Sequence, residues 1–168
     1  MKQHFKAPWG TGLKWISLFS TLFLGPMCLA ALAIAYVNAS SLLALLICLV
    51  PWLIVVPAAC YAVRGYTLDA NILRIHRLLW DTVIPISGLK YALTMPEAMS
   101  GSIRIYGNGG FYSITGHYWN RRLGHYRAYV NDWKRPVVLI FHERNTIVLS
   151  PDDPEDFVEA VKAAVTPP

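Results

Sequence analysis

The first 68 residues of this chain contain no aspartate and no glutamate. Between Leu13 and Val63 the one charged residue is Lys14, and that stretch has no histidine or arginine either. Charged residues make up only 15% of the whole chain and hydrophobic ones 55%, whereas roughly 25% of a typical soluble domain is charged. Without an Asp, Glu, His or Arg inside the apolar stretch, a transport pathway or proton relay through this chain alone is not expected. All three cysteines, Cys28, Cys48 and Cys60, fall in the same stretch. The remainder therefore has neither a disulfide scaffold nor a cysteine-ligated zinc site, and the thiols read as buried structural groups.

What the apolar stretch does contain is length. Residues 13–37 and 42–63 are each long enough to cross a hydrocarbon core, which takes about 20 residues of helix. Asn38, Ala39, Ser40 and Ser41 form a short polar link, so the two spans are antiparallel neighbours, a transmembrane hairpin. Trp9, Trp15, Tyr36, Tyr61 and Tyr66 fall near the expected lipid boundaries, where amphipathic rings settle. A second span follows the first at once, which argues against a cleaved signal peptide. Lys2, Lys6 and Lys14 flank the first span, and Arg64, Arg74 and Arg77 follow the second, while the link is uncharged. The positive-inside bias then puts segment 1–12, both termini and the domain from 64 to 168 in the cytoplasm, anchored in the cell membrane as a multi-pass protein.

Gly25 and Pro26 interrupt the first span near its middle. Folding the hairpin about its link brings them level with Pro51 and Trp52, and the expectation is that the Trp52 ring packs into the notch at Gly25. Ala31, Ala35 and Ala39, with Ala44 and Cys48, are spaced for close helix approach.

From Arg64 onward the pattern alternates with period two, as half-buried strands require. Candidate strands are 66–68, 72–79, 82–85, 90–94, 102–106, 112–118, 125–130, 137–142 and 146–149. Val137 to Phe141 is apolar on both faces, which predicts a central strand. Ser150, Pro151, Asp152, Asp153 and Pro154 then make a stop and a helix start, with acids placed where the helix dipole favours them. Phe157, Val161 and Ala164 recur at helical spacing, so one face of that helix is buried. The class is α+β: a helical hairpin, then an antiparallel barrel or sandwich closed by a C-terminal helix.

Several of these residues carry a family likeness. Tyr66 to Leu79 with Pro85 and Ile86, the glycine-rich run Tyr106, Gly107, Asn108, Gly109, Gly110, Phe111, then Gly116, and Val137 to Leu149 leading into Ser150-Pro151-Asp152-Asp153-Pro154-Glu155-Asp156-Phe157, together resemble the bacterial PH-domain family of membrane-anchored proteins. The resemblance covers nearly the whole chain and implies a barrel of about seven strands closed by a helix. It implies a binding or scaffolding role. The basic cluster of phosphoinositide-binding PH domains is not carried over, because the first hairpin turn is only Asp69-Ala70-Asn71, with Arg74 and Arg77 beyond it.

No catalytic motif is present. The glycine-rich run lacks the Lys-Ser/Thr pair of a P-loop and reads as a turn. The histidines show no His-Glu-x-x-His spacing, the acids of 152–156 miss the EF-hand pattern, and there is no Gly-x-Ser-x-Gly elbow. The expectation is a non-enzyme without cofactor or metal. The candidate contact surface is the hairpin around 106–129, where aromatic residues interleave with cations: His117, Trp119, Arg121, Arg122, His125 and Arg127, for an anionic headgroup or a protein partner. Nucleic acid is disfavoured, since the part from Arg64 on carries 12 Lys and Arg against 10 acids. The expected partners are the lipid bilayer and a membrane protein or a second copy. The runner-up role is an accessory subunit of a larger membrane complex.

Overall fold

The computed structural model describes residues 2–37, 42–142 and 145–165, with 42–45, 47 and 48 in backbone only. Strand β1 (Lys2–Lys6) leads into helices α1 (Thr11–Val37) and α2 (Leu42–Cys60). Strands β2 (Gly65–Asp69), β3 (Ile72–His76), β4 (Asp81–Pro85), β5 (Leu89–Thr94) and β6 (Ile103–Gly109) follow, then β7 (Ile114–Asn120), β8 (Gly124–Val130), β9 (Val137–Phe141) and β10 (Thr146–Leu149), and helix α3 (Pro154–Val165) ends the fold. The class is α+β, with a long apolar N-terminal helix and a β-sheet domain.

The sheets depart from the expected closed antiparallel barrel of about seven strands. One sheet has the order β1-β2-β3-β4 and the other β5-β9-β10-β8-β7-β6, and the two do not close on each other. One pair, β8 with β10, is parallel. The reason is the path after β8: residues 131–136 pass over one strand position before β9 begins, and β10 fills the gap left between β8 and β9. β9 is central, and its two apolar faces serve two cores. Val137 and Leu139 pack with Tyr66, Leu73, Ile75 and Phe157 between the sheets, while Val138 packs on the opposite face with Tyr118, Tyr126 and Val130. α3 begins at Asp153, whose Oδ1 accepts the N–H groups of Glu155 and Asp156, an N-cap in the expected place. Its apolar stripe, Phe157 and Val161, is fully buried.

Lys2–Lys6 has no apolar alternation and no strand is expected there, yet it pairs in full register with β2, from Lys2 opposite Asp69 to Lys6 opposite Gly65. The two helices are thus inserted between two neighbouring strands of one sheet. Leu13, which the sequence places at the start of the first span, is buried in the second core of the domain. Gly12 lies under Trp133 so closely that a Cβ would stand 2.2 Å from the indole, so the helix start is seated on the loop after β8.

α1 runs unbroken through Pro26. Among the described residues it is the helix long and apolar enough to cross a membrane; the apolar helix 49–60 within α2 is shorter. Cys28 and Ala31 form a shielded stripe on α1, and Pro51 is buried on α2. The notch at Gly25 is unfilled: no described atom lies within 4 Å of where a side chain would start, and Trp52 is an exposed residue. The expected packing of the Trp52 ring into the notch at Gly25 is therefore corrected: the notch is open among the described atoms, and the shielded positions in that half of α1 are Cys28 and Ala31. Ala39, the link 38–41 and Thr166 to Pro168 lie outside the described residues, as do the side chains of Ala44 and Cys48.

One buried side chain joins both helix connections. Asn131 donates its amide protons to the carbonyls of Ala7 at 2.9 Å and Val63 at 2.7 Å, the residues that follow β1 and precede β2. Its N–H donates to Ser150 Oγ at 2.8 Å, and its carbonyl accepts from Gly10 at 3.0 Å. Replacing Asn131 with Ala leaves buried carbonyls without donors, at roughly 1–3 kcal/mol for each. Thermal unfolding of the detergent-solubilised chain should shift to lower temperature for Asn131→Ala, and further for Asn131→Asp at neutral pH, whose carboxylate faces two carbonyl oxygens. An unchanged melting curve for Asn131→Ala would remove the bridge from the account.

Candidate functional site

Antiparallel pairing of β7 with β8 sets His117 opposite Arg127, Tyr118 opposite Tyr126, and Trp119 opposite His125. Because side chains alternate across a strand, this register divides the candidate surface in two. His117, Trp119, His125 and Arg127 share one face; Tyr118 and Tyr126 share the other and are buried. Tyr118 donates to the Asn108 carbonyl at 2.9 Å and Tyr126 to Ser102 Oγ at 2.6 Å. Burial pushes the Tyr118 hydroxyl up to about 12 and also raises that of Tyr126, so neither is an acid or base at neutral pH.

On the open face the groups are mutually engaged. Arg127 Nε donates to His117 Nε2 at 3.0 Å, which leaves the imidazole proton on Nδ1. The Tyr106 ring stacks on His117 with centroids 4.3 Å apart and planes 20° apart. Burial, and then the charges of Arg127 and His125, hold the His117 imidazole below its ordinary pKa.

Residues of this face line a cleft of about 740 Å³ together with residues of the first sheet. One wall is Val83, Ile84 and Pro85 of β4, the outer strand of the first sheet. The lining also includes His117, His125 and Arg127 of the open face, with Phe141, His142, Asn145 and Ile147. Three imidazoles and a guanidinium thus meet an apolar wall, and no carboxylate is among the described residues that line it. The sequence predicts His117, His125 and Arg127 as candidates but not His142 or the β4 wall. Those arrive from strands distant in the chain, whereas the β6–β7 hairpin, which sets Tyr106 opposite His117, and the β7–β8 hairpin are local signals.

Arg121 and Arg122 stand apart from the cleft, exposed on the β7–β8 turn. Asn120 builds that turn: its Oδ1 accepts the N–H groups of Arg122 and Leu123, and its amide donates to the Ala98 carbonyl. Trp119 is on the open face, half-buried, and does not line the cleft. Among the described residues no three His, Cys, Asp or Glu side chains are grouped to hold a metal ion.

The glycine-rich run is a strand end and a turn. Gly107 and Gly116 face each other across β6 and β7 at φ of 119° and 137°, and a Cβ on Gly107 would stand 2.3 Å from the Thr115 carbonyl oxygen. Only glycine allows that approach. Asn108 then folds the chain back, its Oδ1 accepting from Gly110 and Phe111 and its amide donating to the Phe111 carbonyl. The amides that a phosphate loop would offer to a ligand are committed to the turn.

Gly110 to Ser113, at the end of that turn, touches both helices. Ser17 Oγ accepts from the Tyr112 N–H at 3.1 Å, Thr21 and Tyr112 hydroxyls are 3.1 Å apart, and Ser113 donates to the Tyr61 carbonyl at 3.2 Å. The start of α1 and the end of α2 therefore lie at one level, which makes the helices antiparallel.

No curated protein and no solved structure matches the chain. A family model described as bacterial PH domain matches residues 64–165, the β2-to-α3 region that supplies most of both cores, the cleft and the turn against the helices. With more than half of its length in that match, the chain belongs to the bacterial PH domain family.

Proposed function

We propose that this protein is a non-catalytic, membrane-anchored binding module, holding a ligand with an anionic group and an apolar body in the cleft between β4 and β7–β8. The observation that carries the reading is the lining itself: Arg127, His117, His125 and His142 together with Val83, Ile84 and Pro85, with no described carboxylate among them. Such a site suits a negative charge held by hydrogen bonds beside apolar contact. Membership of a PH family supports binding or scaffolding in general.

Two spans supply the anchor. From the level of Ser17 and Tyr61, α1 and α2 each extend by about 20 residues of helix, roughly 30 Å, the thickness of a hydrocarbon core. The absence of acids before Asp69 and the cations at Lys2, Lys6, Lys14 and Arg64 support a cytoplasmic domain at the cell membrane.

Two measurements test these parts separately. In a chain whose native cysteines are replaced by alanine, Ser40→Cys should react with a membrane-impermeant maleimide on intact cells, and Arg121→Cys only after permeabilisation. The reverse pattern inverts the topology, and reaction of both on intact cells removes the anchor. For the cleft, inorganic phosphate serves as the simplest anion. The His117 titration followed by NMR should move to higher pH on adding phosphate, because the anion offsets the positive field of Arg127 and His125. Arg127→Ala should raise the His117 pKa without phosphate and abolish the phosphate response, while Arg121→Ala leaves both unchanged. Phosphate binding should accordingly tighten as the pH falls through the histidine range, about 6.5 and below. A titration insensitive to phosphate would exclude an anion at this site.

A further inference from the structure

The turn between β3 and β4 is built from the wrong chemistry for water. Hairpin turns are ordinarily made of Gly, Asn, Asp, Pro or Ser, but this one reads Arg77-Leu78-Leu79-Trp80. Leu79 is 72% exposed, and Leu78 and Trp80 are also exposed. No core of the domain covers them.

Their position explains what would. The Trp80 ring meets the Tyr61 ring edge-on at 5.0 Å, and Tyr61 directly follows α2. Arg77 Nη1 donates to the Tyr61 carbonyl at 2.9 Å, and its guanidinium lies over the Tyr61 ring at 5.0 Å. Leu78 shares a hollow of about 410 Å³ with Trp9, Ala59, Ala62 and Tyr112. The turn is thus pinned at the level where the second apolar helix ends. At that level sit Trp9, Tyr61, Trp80 and Tyr112 together with Arg64 and Arg77, the aromatic and basic pairing that suits a headgroup layer. Asp81, the next acid in the chain, is turned to His76 at 2.8 Å.

We propose that Leu78, Leu79 and Trp80 insert into the interfacial layer of the same bilayer that holds α1 and α2, giving the domain a third point of attachment. The proposal rests on the membrane reading above and goes beyond it, because a contact besides the two helices restricts how the domain stands on the bilayer. β4 runs from this turn to the cleft. At about 3.3 Å per residue, Val83 and Pro85 lie no more than roughly 10 and 16 Å along the strand from Trp80, so the cleft is held close above the lipid surface. The occupant is lipid because the exposed face is continuous with the end of α2 and carries cations beside its apolar tip.

The test uses the full chain with Cys28, Cys48 and Cys60 replaced by alanine, reconstituted in vesicles of phosphatidylcholine and phosphatidylglycerol. Single cysteines at Leu79→Cys, Ile54→Cys and Arg121→Cys carry an environment-sensitive dye. The expected result is blue-shifted emission at Leu79→Cys, quenched by lipids spin-labelled near the headgroup, with a shielded signal at Ile54→Cys on α2 and a water-like one at Arg121→Cys. A water-like signal at Leu79→Cys with Ile54→Cys still shielded overturns the insertion and leaves the anchor standing. Water-like signals at both overturn the anchor and the insertion together. A Leu79→Cys label that is shielded in native membrane but not in pure lipid assigns the turn to a protein partner and also overturns the proposal.

Discussion

The pairing of β1 with β2 governs the rest of the structure. These strands are far apart in the chain and adjacent in the sheet, so everything between them, both apolar helices included, leaves and re-enters the domain through one narrow gate. Asn131 closes that gate by holding the carbonyls on its two sides, Ala7 and Val63, with one amide. A helical hairpin tied at both ends to neighbouring strands is more restrained than a single flexible tether would be.

The segment 150–153, whose acids look from the sequence like helix-cap chemistry, divides its work. Ser150 Oγ accepts from Asn131 and Asp132. Asp152 brackets Lys6, accepting its N–H on Oδ1 and donating its own N–H to the Lys6 carbonyl. Asp153 alone caps α3. The end of the domain thereby locks the end of β1, and the buried Tyr66 ties the same region together by donating to the Tyr129 carbonyl at 2.6 Å and accepting from the Ser150 N–H at 3.1 Å. Such a framework gives the cleft a defined place relative to the helices.

The strand runs after Arg64 and the final helix were legible because each has a face to bury, and a face imposes a period on the residues. Val137 to Phe141 announced its central place by lacking a polar face. β1 was illegible for the converse reason: Lys2, Gln3, His4 and Lys6 are solvated along an outer strand, and only Phe5 points to a buried ring, Phe157, with centroids 4.9 Å apart. The site was half legible. The His117–Arg127 pair follows from the short β7–β8 turn, but Arg121 and Arg122 looked equivalent to it until the turn placed them away from the cleft.

Composition and period by themselves determined two long apolar helices, a β domain beyond Arg64 and an amphipathic closing helix, because each depends only on which side chains avoid water. The tertiary structure alone decided that β10 lies between β8 and β9, that β1 completes the first sheet, that the sheets stay open, and that His142 and the β4 wall join His117 and Arg127. The physical reason is that strands find their neighbours through backbone N–H and C=O groups, which are nearly the same at every residue. Side chains say which face a residue takes; chain path and packing say beside whom.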